Sequence, residues 1–420
     1  MSTKALAPAT LVLLSTIAAC GGGNRQVRAP SDLSTLSVAL DAAFREEAVG
    51  DPVKAVDLYA RALSSAAASP DNPSSVTVAM ASLDALVHRD VAAFSEVSSS
   101  SALADRIDPA VLKKSGGTVD DRLATIAASA EGPFIPALIA NARLALAERR
   151  GDAKTAADLR ERSGCIREAA VVGPVAWMNV SGAREAPLLD KPGMPMPSEV
   201  SGPGPFSPTL RPMKVAGFGC RLPLYAETSA QGVREIAVDV EVPKAGWIGV
   251  GLRASAGAVM RAAGVLTLER PHSAGPNAVR RYARVESSGG TLRLVVRVGM
   301  DQDFSSVEIG AWDENGKPLR AHAPAPGAKA GATVKRAVPV VPADAVSDRD
   351  RVAIALGALA TNEPNLAENL LSPQIGRTDS PELLLVYARA VRAARDLPTV
   401  KAQERARSAY ERVLEAWPAS

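Results

Sequence analysis

The chain has 420 residues, 47% hydrophobic and 22% charged, which is enough apolar material for two or three domains with cores of their own. Lys and Arg total 48 against 45 Asp and Glu, and a net charge of +3 gives no long-range field to steer nucleic acid. Aromatics at 4%, with three His and three Cys, argue against stacked base readers, aromatic-lined sugar clefts, structural zinc and multi-His metal centres.

Residues 1–19 read as a signal peptide: Lys4 supplies the positive start, and residues 5–17 form an apolar run too short to span a bilayer as a mature helix. The run closes on Ile17-Ala18-Ala19-Cys20. This tetrad resembles the lipobox of bacterial lipoproteins. The resemblance implies that small side chains fit the signal peptidase and that Cys20 receives a diacylglycerol and begins the mature chain. An ordinary signal peptide or an uncleaved anchor is the alternative. Residues 20–32, opening Gly21-Gly22-Gly23-Asn24, are then a lipid-anchored tether. Gly21 in place of Asp after the Cys points to the outer membrane, facing the periplasm or the surface. No later segment has about 18 uninterrupted apolar residues. An oxidising compartment permits a disulfide between the two remaining cysteines, Cys165 and Cys220, with two buried free thiols as the alternative.

Residues 33–163 are Ala- and Leu-rich with helical periodicity. Gly50-Asp51 separates two stretches, Pro52 suits a first helical turn, and Ala55, Leu58, Tyr59, Ala62 and Leu63 fall on one face. The small–aromatic–small spacing of Ala55, Tyr59 and Ala62 resembles the second helix of a tetratricopeptide repeat, in which small residues let paired helices approach. A weaker echo runs over 135–163, where Arg160 takes the aromatic position. Gly116-Gly117 and Gly132-Pro133 break the intervening helical pattern.

From 164 to 325 the period changes to two. Strands are expected at 166–175, 234–242, 247–253, 265–268, 280–286, 291–298 and 307–313, with a long Pro/Gly-rich loop over 184–217. Leu292, Leu294, Val296 and Val298, interleaved with Arg293, Val295 and Arg297, predict a strand with one buried face. Short strands at this spacing indicate an antiparallel β-sandwich. The arrangement resembles the jelly rolls of the galactose-binding-like superfamily, with 312–318 like their closing hairpin.

Residues 326–347, rich in Ala, Pro and Val, read as a linker. A second helical block follows over 348–420. Ser380-Pro381-Glu382 opens one helix, and Ala406, Tyr410 and Val413 repeat the tetratricopeptide-like spacing in the next, with Val413 in place of a small residue. The expected architecture is therefore multidomain α plus β, with tetratricopeptide-like hairpins on both sides of an antiparallel sandwich. The order of parts, with Val171-Val172-Gly173-Pro174 as an entry strand, resembles a group of myxobacterial envelope repeat proteins, some of which carry a transglutaminase-like domain.

Chemistry is sparse. His88, His272 and His322 stand near no recognisable nucleophile motif, and no Gly-x-Ser-x-Gly elbow occurs. Asp301 and Asp303, with Asp313 or Glu314, would offer oxygen ligands to a structural Ca²⁺; a solvated acidic turn is the plainer account. Trp247 and Trp312 are candidate glycan contacts if exposed, and core residues otherwise. Arg280, Arg281, Arg284, Arg293 and Arg297 would present charge to an anionic polymer or stand solvated on an outer face. The leading expectation is a non-catalytic envelope lipoprotein, held to the membrane by its lipid and binding a protein or peptide partner through helical repeats. The alternatives are a carbohydrate-binding protein acting through the sandwich, or the non-catalytic part of a transglutaminase-like envelope protein. No cofactor and no nucleic-acid partner is expected.

Overall fold

A computed structural model describes residues 33–69, 74–88, 102–130, 134–162, 164–176, 187–189, 194–202, 209–217, 220–225, 232–254, 256–270, 281–300, 304–336, 347–361, 363–394 and 398–418. The lipobox residues Ile17, Ala18, Ala19 and Cys20, and the acidic pair Asp301 and Asp303, lie outside the described residues.

Among the described residues, eight helices precede the sheets: α1 Leu33–Val49, α2 Pro52–Ala67, α3 Ser75–Leu83 running into a π turn at Asp84–His88, α4 Leu103–Arg106, α5 Pro109–Lys114, α6 Val119–Ser129, α7 Ile135–Arg149 and α8 Ala153–Arg162. Four follow them: α9 Asp348–Ala360, α10 Pro364–Leu371, α11 Pro381–Ala393 and α12 Thr399–Ala416. Local chemistry sets their starts. Asp51 accepts from the Val53 N–H at 2.8 Å ahead of Pro52, and Thr118 and Asp121 form a reciprocal capping box. Ser380 caps α11 with Pro381 at its first turn. Among the described residues no helix is long and apolar enough to cross a membrane.

The two helical segments, expected at 33–163 and 348–420, form one body. Helix α9 packs on α1 and α3 from the first segment and on α10 and α11 from the second. One apolar cluster runs through both, from Leu36, Leu40 and Phe44 to Val352, Leu383 and Val391. Gly357 of α9 lies so close to α3 that a Cβ there would stand 2.2 Å from the Thr77 methyl. Polar seams agree with this packing: Ser37 Oγ donates to Asp350 at 2.7 Å, and Arg45 pairs with Glu382. Ala55, Tyr59, Ala62, Ala406 and Val413 are buried and Tyr410 is half-buried.

Among the described residues between the helical segments lie two large antiparallel sheets and a third of only two strands. The strands are β1 Glu168–Ala176, β2 Val200–Ser201, β3 Thr209–Leu210, β4 Met213–Ala216, β5 Leu222–Tyr225, β6 Gly232–Val242, β7 Gly246–Ala254, β8 Ala258–Ala262, β9 Val265–Arg270, β10 Arg281–Ser287, β11 Gly290–Met300, β12 Phe304–Asp313, β13 Ala321–His322 and β14 Val334–Arg336. One sheet runs β4-β1-β6-β11-β8-β9, with β13 also beside β6, and the other runs β14-β10-β7-β12-β5. One apolar cluster joins them, with Ile236, Val238 and Leu294 from the first meeting Val250, Leu252 and Ile309 from the second. A disulfide joins Cys165, ahead of β1, to Cys220, ahead of β5.

Three expectations are corrected. Residues 184–217 are not one bare loop: β2 pairs β3, β4 pairs β1, and Leu189, Met196 and Val200 are buried against Val233, Ala237 and Val295 on the outer side of the larger sheet. Nor is β11 buried on one face only. Arg293 and Arg297 face Asp239 and Glu235 across the ladder; the Leu188 and Leu189 N–H groups of the covering segment donate to Glu235, Arg293 reaches the Ala328 carbonyl, and the paired side chains are no more than 4% exposed. Carboxylates in register neutralise the arginines, which lets the second face be buried as well. Last, the linker expected at 326–347 begins later. The Gly327 N–H donates to the Met196 carbonyl at 2.8 Å, that of Ala332 to Thr291 at 3.0 Å, and β14 pairs β10. The covering segment and the strands offer these backbone groups partners, so the sheet unit reaches Arg336 rather than 325.

Candidate functional site at the helix–sheet junction

The smaller sheet turns its second face to the helical body, and the strand register decides what stands there. Gly249 of β7 lies between Arg284 of β10 and Trp312 of β12. The absent side chain at Gly249 makes room for the Trp312 indole, since a Cβ there would come 2.3 Å from its ring atoms. Trp312 is 1% exposed, so of its two alternatives, glycan contact or core residue, it takes the core one. Tyr282 meets its ring edge-on at 5.7 Å, and His88 from the π turn meets Tyr282 at 5.9 Å. These three rings carry the helical core into the sheet.

A recess of about 20 Å³ opens beside them, lined in part by Asp84, His88, Arg281 and Tyr282, and a volume of this size holds roughly one water molecule rather than an organic ligand.

The hairpin turn after β12 docks on the start of α7. The Glu314 carbonyl accepts from the Phe134 N–H at 3.0 Å, and Gly316 sits against Ala137. Phe134 has φ +71°, a left-handed backbone unusual for a bulky residue. At one edge of the junction, charges pair across it: Arg253 lies 2.7 Å from Glu148 of α7 and 3.3 Å from Glu308 of β12. Arg160 adds to Glu148 at 2.7 Å and Arg221 to Glu308 at 3.2 Å.

Arg284 is arranged differently. Its guanidinium carbon lies 4.4 Å from the centre of the Trp247 ring and 5.3 Å from that of Phe134. Among the described residues it has no hydrogen-bond or ion-pair partner. Burial alone holds its pKa below the ordinary arginine value. Both Arg284 and Trp247 remain half-buried. Trp247 is thus the accessible member of the two tryptophans expected as glycan contacts.

Other expected site residues are dispersed. Asp313 spends one carboxylate oxygen on the N–H groups of Asn315 and Lys317, each at 2.9 Å, and Glu314 reaches Lys244 at 3.1 Å. No group of three or more His, Cys, Asp or Glu side chains arranged to hold a metal ion occurs among the described residues. The junction itself escaped sequence reasoning. The signal available was the run Gly246, Gly249, Gly251 in a strand otherwise rich in large residues, which marks close approach by something bulky. Compared with models of protein families, with curated proteins and with solved structures, the chain finds a match in none of the three.

Proposed function

We propose that this chain is a lipid-anchored scaffold of the bacterial cell envelope, without catalysis, that binds a protein or peptide partner through its helices. In this reading Cys20 carries the lipid and holds the protein at the outer membrane. The helices are degenerate tetratricopeptide-like hairpins, and the paired sheets are a galactose-binding-like sandwich. The observation that carries the reading is the stacking order of the C-terminal helices: α9 on α10, α10 on α11 and α11 on α12, with α9 also touching α11. Helical-repeat arrays stack in this order and use the extended surface that results for binding.

Metabolic labelling with radioactive palmitate tests the anchor. The wild-type chain is expected to take up label and fractionate with outer membrane. Cys20→Ser is expected to lose both, and a labelled Cys20→Ser chain would sink the lipobox assignment.

The half-exposed Trp247 beside Arg284 favours a second reading, carbohydrate binding through the sheets. Co-sedimentation of the whole chain with peptidoglycan and with outer-membrane polysaccharide, at low and high salt, tests it. The whole chain is needed because Tyr282 and Trp312 of the sheet belong to the helical core. A chain that pellets with neither polymer leaves the scaffold reading in place.

A further inference from the structure

We infer that Arg284 is the anchor of an oxyanion-binding site at the helix–sheet junction, taking a carboxylate or phosphate group against the Trp247 ring. The inference goes beyond the scaffold reading and does not depend on it. It starts from a contrast between Arg284 and two paired arginines. Arg253, at one edge of the junction, lies within 2.7 and 3.3 Å of two carboxylates. Arg293, inside the sheets, holds Asp239 with two bonds of 2.8 and 2.9 Å. Arg284 is clamped between Trp247 and Phe134 instead, with no anion from any described residue.

A guanidinium carries five N–H donors and stays charged at neutral pH. Aromatic faces stabilise its charge but accept none of its in-plane hydrogen bonds well. Two rings fix the position of Arg284, so little side-chain freedom remains to be lost when a ligand arrives. Partial burial also weakens competition from water, which makes an incoming oxyanion worth more here than at an exposed arginine. The ring of Trp247 stays partly open, so a ligand with an apolar surface next to its anionic group gains contact there. An acidic sugar has this character. Inorganic phosphate shares only the charge. Both present the same chemistry to Arg284, and the measurement separates them.

The experiment uses the full chain with 5-fluorotryptophan at its four tryptophan positions, the Trp247 fluorine resonance being assigned with Trp247→Phe. Galacturonate, inorganic phosphate and neutral galactose are titrated separately. At least one of the two anions is expected to move the Trp247 resonance saturably, while galactose leaves it in place. Tighter binding of galacturonate identifies the acidic sugar as the source, and tighter binding of phosphate identifies the free ion. Arg284→Met removes the response, with the Trp312 resonance unchanged as the mark of an intact fold. Arg284→Lys keeps the charge but loses the planar fork, and lowers affinity about tenfold. Three results would overturn the inference: no saturable shift with either anion, an equal shift with galactose, or a shift that survives in Arg284→Met. Should Arg284→Met fail to fold, Arg284→Lys decides, and unchanged affinity in that variant overturns the site.

Discussion

Replacing Asp239 by Asn should destabilise the chain about tenfold more, in free energy, than removing a surface ion pair of the same length. Asp239 and Arg293 are joined by bonds of 2.8 and 2.9 Å, with side chains only 1% and 2% exposed. The substitution keeps the shape and deletes the charge. It leaves a buried guanidinium without its counter-ion, at a cost of about 3–5 kcal/mol. Arg407 and Glu411 on α12 are also 2.9 Å apart, but 82% and 58% exposed. Solvent screening and side-chain entropy limit that pair to about 0.3–0.5 kcal/mol. A double replacement, Asp239→Leu with Arg293→Met, removes both charges. Such swaps range from neutral to about 1–4 kcal/mol stabilising. The Ala328 carbonyl, 3.2 Å from Arg293, then loses a donor at a cost of about 1 kcal/mol, so the double variant should lie near wild type. Urea unfolding followed by tryptophan fluorescence and circular dichroism gives the midpoints, compared at constant slope. The reasoning is refuted if Asp239→Asn shifts the midpoint no more than Arg407→Ala, or if the double variant is as unstable as the single one.

Gly249→Ala should cost about 1–3 kcal/mol by overpacking, because its Cβ would lie 2.3 Å from the rigid, buried Trp312 indole. Pairing it with Trp312→Phe should recover part of the loss, and a Gly249→Ala chain with an unaltered near-ultraviolet spectrum would contradict the packing described. Reducing the Cys165–Cys220 bridge frees a loop with a sequence separation of 55, worth about 4 kcal/mol by chain entropy, so dithiothreitol should lower the urea midpoint; an unchanged midpoint contradicts this. Asp41 has its carboxyl held above the usual 3.8, by burial first and by Glu382 second, with Arg349 and Arg45 opposing. The fold thus binds this proton more tightly than the unfolded chain, and the stability it contributes is present at low pH and falls as pH rises from the unfolded value through the folded one. Asp41→Asn should therefore raise the midpoint at neutral pH, with a gain that fades on acidification towards about pH 4; a gain that stays constant with pH would refute the assignment.

The long central strands were legible because their periodicity is strong. The run expected at 234–242 is the body of β6, and those at 247–253, 291–298 and 307–313 fall within β7, β11 and β12. Strand β8, Ala258–Ala262, was not legible: Val259 is its single β-branched residue, and neighbours rather than propensity make it a strand. The covering segment was read as a loop since Pro and Gly mask its anchors Leu189, Met196 and Val200, which acquire meaning only once Ala237 and Val295 are known to need cover. Arg297 and Glu235 stand far apart in sequence, and only the register of β6 on β11 shows that each is the other's counter-ion. The candidate site was half legible. Trp247 and Trp312 carried the same two alternatives in sequence, glycan contact if exposed and core residue otherwise, and only the fold separates them. That Trp312 is buried depends on Gly249, a residue on another strand, and no local pattern links the two.

Because α9 completes a core begun by α1 and α3, the sheets are an insertion within one helical domain, and this governs the order in which the protein can be built. About 300 residues separate α1 from α9, roughly 15–60 s of synthesis at about 5–20 residues per second. Throughout that interval the surfaces of α1 and α3 that will receive Val352, Ala355 and Leu356 have no cover. The sheet unit, whose strands pair mostly with neighbours inside residues 168–336, can close earlier and hold the two halves of the helical core within reach of each other. Truncation just after Arg336 would therefore keep every strand yet leave the N-terminal helices, and the helical core that Tyr282 and Trp312 join, incomplete, converting a stable body into an aggregation-prone one whose defect lies about 250–300 residues from the cut.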